Sequence, residues 1–301
     1  MLGLLAVAPN AHAKSDELAP KHVLKNVGAG TGDVGDVGDP GNANAKSTGG
    51  ARRTTNNGIS YHGGPLILNT TKAYVIWYGN WTGSATPSLL TSLLSSIAPS
   101  PYFNINTTYT NGSGTAVTNA VQYAGSATDS YSRGTSLSDA GVQGVVADAI
   151  TRGLPKDTSG VYFVLTSSDV SEASGFLTQY CGWHTHGSIS GADIKYAFVG
   201  DASRNLAACA AQTSVSPNNN VAGDAMASVV AHELEEAVTD PDLNAWYDSR
   251  GYENADKCAW TYGTTYSTAN GALANMKLGT LNFLIQRNWV NASGGYCATS
   301  K

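Results

Sequence analysis

Ala225-Met226-Ala227-Ser228-Val229-Val230-Ala231-His232-Glu233-Leu234-Glu235-Glu236-Ala237-Val238-Thr239-Asp240-Pro241 is the stretch that organises the chain. Helix formers fill it, Asp224 stands ahead of it as an N-cap, and Pro241 stops it. Wound as a helix, it puts Val230, Ala231, Leu234, Ala237 and Val238 on one side. His232, Glu233, Glu236 and Asp240 fall within roughly a third of the circumference on the other. An imidazole and a carboxylate four residues apart can converge on one metal ion, with Glu233 beside them as base for metal-bound water. This is the logic of the zincin-like H-E-x-x-H helix, with Glu236 in place of the second histidine. The plainer alternative is an amphipathic helix whose acidic side is solvated.

A tetrahedral zinc site needs a third protein ligand and an open position for water. Downstream lies Gly251-Tyr252-Glu253-Asn254-Ala255-Asp256-Lys257-Cys258, with Glu253 and Asp256 one helical turn apart and Cys258 able to pin the segment. Thermolysin-like peptidases take their third ligand from an acid roughly twenty residues after the motif. Asp256 matches that separation best, and Glu253 is the runner-up. Asp240, one turn beyond Glu236, can orient a ligand from behind. A second concentration of imidazole is Cys181-Gly182-Trp183-His184-Thr185-His186. On a strand, His184 and His186 share a face, where they can bind metal or present donors to a substrate. They are expected to act on the substrate side, with two surface histidines as the alternative.

Composition limits the rest. The chain has 301 residues, 42% hydrophobic and 13% charged, long and apolar enough to bury a substantial core. Its net charge is −5 and no basic block exists, which argues against nucleic acid as a partner. Residues 2–8 are apolar, and Ala11-His12-Ala13 forms an A-x-A cleavage pattern before Lys14. Residues 1–13 are therefore expected to be the end of a secretory signal peptide whose start lies upstream. Residues 14–57, with the Gly-Asp-Val repeat around Gly32–Gly41, are expected to form a disordered linker. No stretch reaches the ~20 apolar residues of a membrane span. Cys181, Cys209, Cys258 and Cys297 allow three pairings. Sequence-adjacent pairing, Cys181–Cys209 and Cys258–Cys297, closes two moderate loops and is the expected one; a four-thiolate zinc site lacks any C-x-x-C spacing.

Order should begin near Ile59. Residues 72–79, 160–166 and 194–200 read as buried strands, and a last strand is expected around Leu281–Gln286. Helices are expected from Pro87 to Pro99 and from Ser138 or Asp139 to Gly153. Tyr109, Val117, Val121 and Tyr123 alternate through a polar stretch of strands and turns. Strands alternating with helices, followed by the motif helix and an irregular C-terminal part, predict one α/β or α+β domain over 58–301, its central mixed sheet flanked by helices.

Several short motifs in this order resemble the EXORDIUM family, also called phosphate-induced proteins. They are Tyr61-His62-Gly63-Gly64-Pro65, Trp77-Tyr78-Gly79-Asn80-Trp81, Val164-Leu165-Thr166-Ser167-Ser168-Asp169-Val170, Cys181-Gly182-Trp183-His184, Tyr196-Ala197-Phe198-Val199-Gly200 and Asn244-Ala245-Trp246-Tyr247. The resemblance covers about residues 58–301. It implies export and a single domain, and plant members are cell-wall-associated proteins linked to growth responses. Those members generally lack an intact His-Glu pair before the Thr-Asp-Pro segment. Here His232 and Glu233 are present, which is similar to microbial members with a metallopeptidase-like helix.

Two functions follow as expectations. One is a secreted zinc-dependent metallohydrolase, a peptidase, with one Zn2+ on His232, Glu236 and Asp256 and Glu233 as general base. Two carboxylates and one imidazole leave the ion a weaker Lewis acid than two imidazoles would. The other is a non-catalytic extracellular module that binds a cell-wall polymer or a protein, with Trp183, Trp246 and Trp260 as sugar-stacking candidates. A Ser-His-Asp hydrolase is disfavoured, since no G-x-S-x-G elbow occurs.

Overall fold

The computed structural model describes residues 58–301 together with one short strand, β1 (Lys21–Val23). The predicted signal peptide, and the predicted linker apart from β1, lie outside the described residues. Five further strands complete the main sheet: β2 (Thr71–Tyr78), β3 (Val121–Asp129), β4 (Gly160–Thr166), β5 (Tyr180–Ile189) and β6 (Ala192–Gly200). Their spatial order is β1-β5-β6-β4-β2-β3. β6, β4, β2 and β3 run parallel, whereas β5 folds back antiparallel on β6 and carries β1 antiparallel at its outer edge. The sheet is therefore mixed, and the domain is α+β.

Parallel strands covered on both faces read as continuous apolar runs. That is why Gly160-Val161-Tyr162-Phe163-Val164-Leu165-Thr166 is buried at every residue. Three longer helices supply the cover: α1 (Thr86–Ser96), α2 (Asp139–Thr151) and α3 (Val221–Thr239). α1 has a proline in its first turn, and α2 is capped by the Ser138 hydroxyl, which accepts from the Gly141 N–H. α1 packs against α3, and the Asn220 amide ahead of α3 donates to the Thr86 hydroxyl at 2.9 Å. α2 lies across the other face. On β5, Gly182 packs against Val229 of α3, while Gly187, an odd number of residues away, packs against Gln143 of α2.

The C-terminal part is richer in short strands than the sequence suggests. The segment expected around Leu281–Gln286 contains only Leu281–Phe283, paired with Met276–Leu278. Asn288–Val290 then pairs with Tyr296–Ala298. These three-residue strands are too short to show an alternation pattern. Both expected disulfides are formed, Cys181–Cys209 and Cys258–Cys297. Among the described residues, no helix is long and apolar enough to cross a membrane.

Candidate metal centre

The motif helix begins a turn earlier than its sequence suggests. Asn220, not Asp224, is the N-cap, its side-chain oxygen accepting from the Gly223 N–H at 3.0 Å. Asp224 lies in the first turn, where a carboxylate suits the positive end of the helix dipole, and it accepts from the Asn218 N–H and side-chain amide. The larger departure concerns exposure. The acidic side of α3 is not solvated: His232, Glu233, Glu235, Glu236 and Asp240 are all buried, at 1% exposure or less. The acidic side lies against β5, through Gly182 and His184, and is roofed by the downstream loop that carries Glu253 and Asp256.

Two histidines from different elements reach the acids. The His232 Nε2 is 2.9 Å from the Glu236 Oε1 and 3.6 Å from the Asp256 Oδ1. The His184 Nε2, on β5, lies 3.0 Å from the Glu253 Oε2 and 3.8 Å from the Glu236 Oε2. Glu236 thus bridges the two imidazoles, one carboxylate oxygen toward each. Ligand atoms on one tetrahedral zinc lie roughly 3.3 Å apart, a spacing these separations bracket. His184, Glu236 and Glu253 form one set whose donor atoms all approach within 4.8 Å, and His232, Glu233 and Glu236 form another; Asp256, expected from the sequence as the third ligand, approaches His232 but joins neither set. The loop is held to the helix through its backbone. The Asp256 N–H donates to the Glu236 Oε1 at 3.1 Å, and the Glu253 N–H to the Asp256 Oδ2 at 3.3 Å.

Glu233 is placed differently. It is fully buried, yet among the described residues neither carboxylate oxygen has a hydrogen-bond partner. Its Oε1 lies against Gly182, where an added Cβ would come within 3.1 Å of it and within 2.6 Å of Val229. The missing side chain at Gly182 lets α3 approach β5 and leaves room beside Glu233. Leaving a buried carboxyl without a partner is costly, so a cation-binding or proton-handling role accounts for it better than packing does.

The electrostatics follow from burial. Burial pushes the Glu236 carboxyl up to about 7, with the Asp256 charge adding to the shift. It also drives Glu233 and Glu253 well above the usual carboxylate range, with Glu236 reinforcing both. The His184 imidazole is lowered to about 3 by burial and by its histidine neighbours. For His232, burial works against the charged form, but the Glu236 and Asp256 carboxylates outweigh it and hold the imidazole well above its ordinary value. The His184–Glu253 contact has the geometry of an ion pair, yet burial drives both groups toward their neutral forms. We take it as a neutral hydrogen bond, because an isolated charge this deep is the more expensive arrangement. The cluster carries four carboxyls against two imidazoles and needs protons or a cation to be stable.

The remaining candidates fall in three places. His186 shares the face of His184 but joins a separate network, 2.7 Å from Asp193 and 3.8 Å from Asp242, with the Lys195 ammonium between those acids. Asp240 holds the turn after α3, its Oδ1 accepting from the Asn244 and Ala245 N–H groups at 2.6 Å each. Burial raises its carboxyl to about 6. Trp183 is a core residue at 2% exposure, and Trp246 packs between Tyr61 and Tyr109 while its indole N–H donates to the Thr110 carbonyl.

Sequence reasoning did not pick out Glu235. The Asn106 and Asn288 side-chain amides both donate to its Oε2, and Asn254 donates to its backbone carbonyl at 3.2 Å. Three asparagines spread over 183 residues gave no local pattern to read; the only available signal was a third acid inside one helical turn.

Comparison with known proteins places this architecture. Residues 59–283 match the model for the phosphate-induced protein 1 conserved region. The chain is 32% identical over 278 residues to Protein EXORDIUM-like 3 of Arabidopsis thaliana, covering 79% of this chain and 82% of that protein. It is 34% identical over 237 residues to Protein EXORDIUM-like 5 of the same plant, covering 68% of this chain and 65% of the relative. No solved structure matches the chain. With the match running from the first strand after the predicted linker through the helix, the roofing loop and most of the C-terminal strands, the chain belongs to the phosphate-induced protein 1 (EXORDIUM-like) family.

Proposed function

We propose that this protein is an extracellular metal-dependent hydrolase, acting on a protein or peptide, with one divalent cation held between α3, β5 and the roofing loop. The two disulfides and the EXORDIUM-like relatives are consistent with an extracellular protein. The observation that carries the proposal is Glu233: a wholly buried carboxyl whose two oxygens have no hydrogen-bond partner among the described residues, one residue from His232 and three from Glu236. His232 and Glu236 would be ligands, Asp256 the third, and Glu253 with His184 the alternative supply from the far side of Glu236. The mixed imidazole and carboxylate donors suit zinc first. A bound divalent cation supplies Lewis acidity toward water and a substrate carbonyl. A neighbouring cation would favour the charged form of Glu233 against burial, and Glu233 would then take a proton and return it to a leaving amine, its oxygens being committed to no donor among the described residues. The Asp256 N–H holds the loop against Glu236, and the Glu253 N–H bonds to Asp256 within the loop, so ligand placement and loop closure are one event.

A second reading rests on the burial itself. His184, His232, Glu233, Glu236 and Glu253 are each at 1% exposure or less, so a substrate reaches them only if the roofing loop moves. A non-catalytic, wall-associated protein with a purely structural cation needs no such movement. Hydrolysis of fluorogenic casein, measured alongside metal content, separates the two. For the hydrolase, Glu233→Gln keeps the metal and loses turnover by at least about a hundredfold, whereas His232→Ala loses both. Equal metal content with no hydrolysis by the wild type selects the structural reading.

A further inference from the structure

A cavity of about 550 Å3 opens at the carboxyl ends of β2 and β3, lined by Trp77, Trp81 and Tyr131 together with Asn80, Thr128 and Ser130. It shares no residue with the acid–histidine cluster. Its volume falls within the range of small-molecule sites. The position follows from the chain path. β2 hands the chain to α1, on the face that α3 covers, and the parallel neighbour β3 hands it to α2, on the opposite face. Connections leaving adjacent parallel strands toward opposite faces open a crevice at the strand ends, where open α/β sheets bind ligands.

The rim is held in place. The Trp81 indole N–H donates to the Tyr78 carbonyl at 3.2 Å, which leaves its carbon faces for contact, and the ring stands edge-on to Trp77 at 5.6 Å. The Tyr131 backbone is left-handed, φ +60°, a conformation that bulky residues adopt only where the surroundings impose it. Its hydroxyl donates to the Asp169 Oδ2 at 2.5 Å. Asp169 also accepts from the Ser167 hydroxyl at 2.6 Å, and that same oxygen accepts from the Asn80 N–H at 3.0 Å. The loops after β2, β3 and β4 are thereby tied together around the cavity. Gly79 permits this approach, since a Cβ there would meet the Ser167 Oγ at 2.0 Å.

The lining states the chemistry of the ligand. Among the described residues, no Asp, Glu, Lys, Arg or His side chain lines the cavity, so neither a phosphate nor a polyanion finds a counter-charge there. Aromatic carbon ringed by an amide and hydroxyls suits a molecule with apolar C–H faces and polar edges, rather than a plain hydrocarbon. We propose that this cavity binds a neutral oligosaccharide of β-linked hexopyranose units, one ring lying against Trp81 and its hydroxyls meeting Asn80, Thr128 and Ser130. The β-linked, all-equatorial sugar offers an unbroken C–H face, which is what an indole needs for stacking. This binding is independent of the metal centre.

Titration of the full chain with cellopentaose, followed by calorimetry and tryptophan fluorescence, tests it. Binding is expected at sub-millimolar concentration, unchanged by chelator, with tetragalacturonate as the acidic comparator failing to bind. Trp81→Ala is expected to weaken binding by at least about tenfold. Ser130→Arg alters an exposed position, fills the cavity with bulk and charge, and should do the same while the circular dichroism spectrum stays wild-type; it decides the matter if Trp81→Ala does not fold. No binding of cellopentaose at millimolar concentration would overturn the proposal. Affinity unchanged in the folded variants, loss of binding on chelation, or a preference for tetragalacturonate would overturn it equally.

Discussion

Gly182 decides how closely helix and strand meet at the centre. A methyl group there would lie 2.6 Å from Val229 Cγ1, 2.9 Å from the Phe198 carbonyl and 3.1 Å from the Glu233 carboxylate, and two of these are too close to be real contacts. Gly182→Ala is therefore expected to cost about 1–3 kcal/mol in urea unfolding, as overpacking does. It should also lower metal occupancy, because α3 must move away from β5. A fully stable variant with normal occupancy would mean that the approach of helix to strand matters less than the packing indicates. At the same scale, Asp129 shows a carboxylate held below its ordinary range. Burial works against its charge, but the Ser132 N–H and hydroxyl and the Arg152 guanidinium outweigh that. A lowered pKa contributes stability that is present above the unfolded value and lost as pH falls through the folded one. Asp129→Asn should thus cost about 1–2 kcal/mol at pH 7, and the difference from wild type should shrink as the pH falls below the ordinary carboxylate range and through the lowered folded value. A cost that does not change with pH would show that packing, not charge, is what the mutation removes.

Among the elements, the roofing loop and α3 depend on each other. Cys258, at the end of the 3-10 turn Asp256–Cys258, is bonded to Cys297 across 39 residues of sequence. In the chain-entropy model a loop of that length is worth about 4 kcal/mol. The Cys258→Ser, Cys297→Ser double variant is expected to lose stability of that order and to bind metal more weakly, since Glu253 and Asp256 ride on the freed segment. The same lesion at Cys181–Cys209 should cost stability with a smaller effect on metal. Much of this level could be read in advance. The three central strands, α1 and α2 stand where their apolar runs and caps put them, because local pattern and tertiary burial agree there. The His232, Glu233, Glu236 constellation was legible because a helix brings residues three and four apart together. His184 beside Glu253 was not: that contact joins residues 69 apart and brings a strand against a distant irregular loop, which no local signal specifies. The burial of the whole motif helix was also hidden, since an amphipathic pattern reads the same whether its polar side meets water or a loop of acids.

For the whole molecule, burying four carboxyls beside two histidines makes stability conditional on what neutralises them. A ligand that binds only the folded state stabilises it by about 2.7 kcal/mol at a hundredfold excess over its dissociation constant. In a domain of this size that corresponds to a rise of roughly 5–10 °C in the thermal midpoint. Calorimetric scans with zinc and with chelator should differ by that amount, and His232→Ala should abolish the difference. The most direct measurement is the metal content of the purified protein after dialysis against excess zinc and then buffer. About one zinc per wild-type chain, and none in the His232→Ala, Glu236→Gln double variant, is the expected result. A wild-type chain that retains no metal after that treatment, at a pH where its circular dichroism is native, would contradict a metal centre on α3.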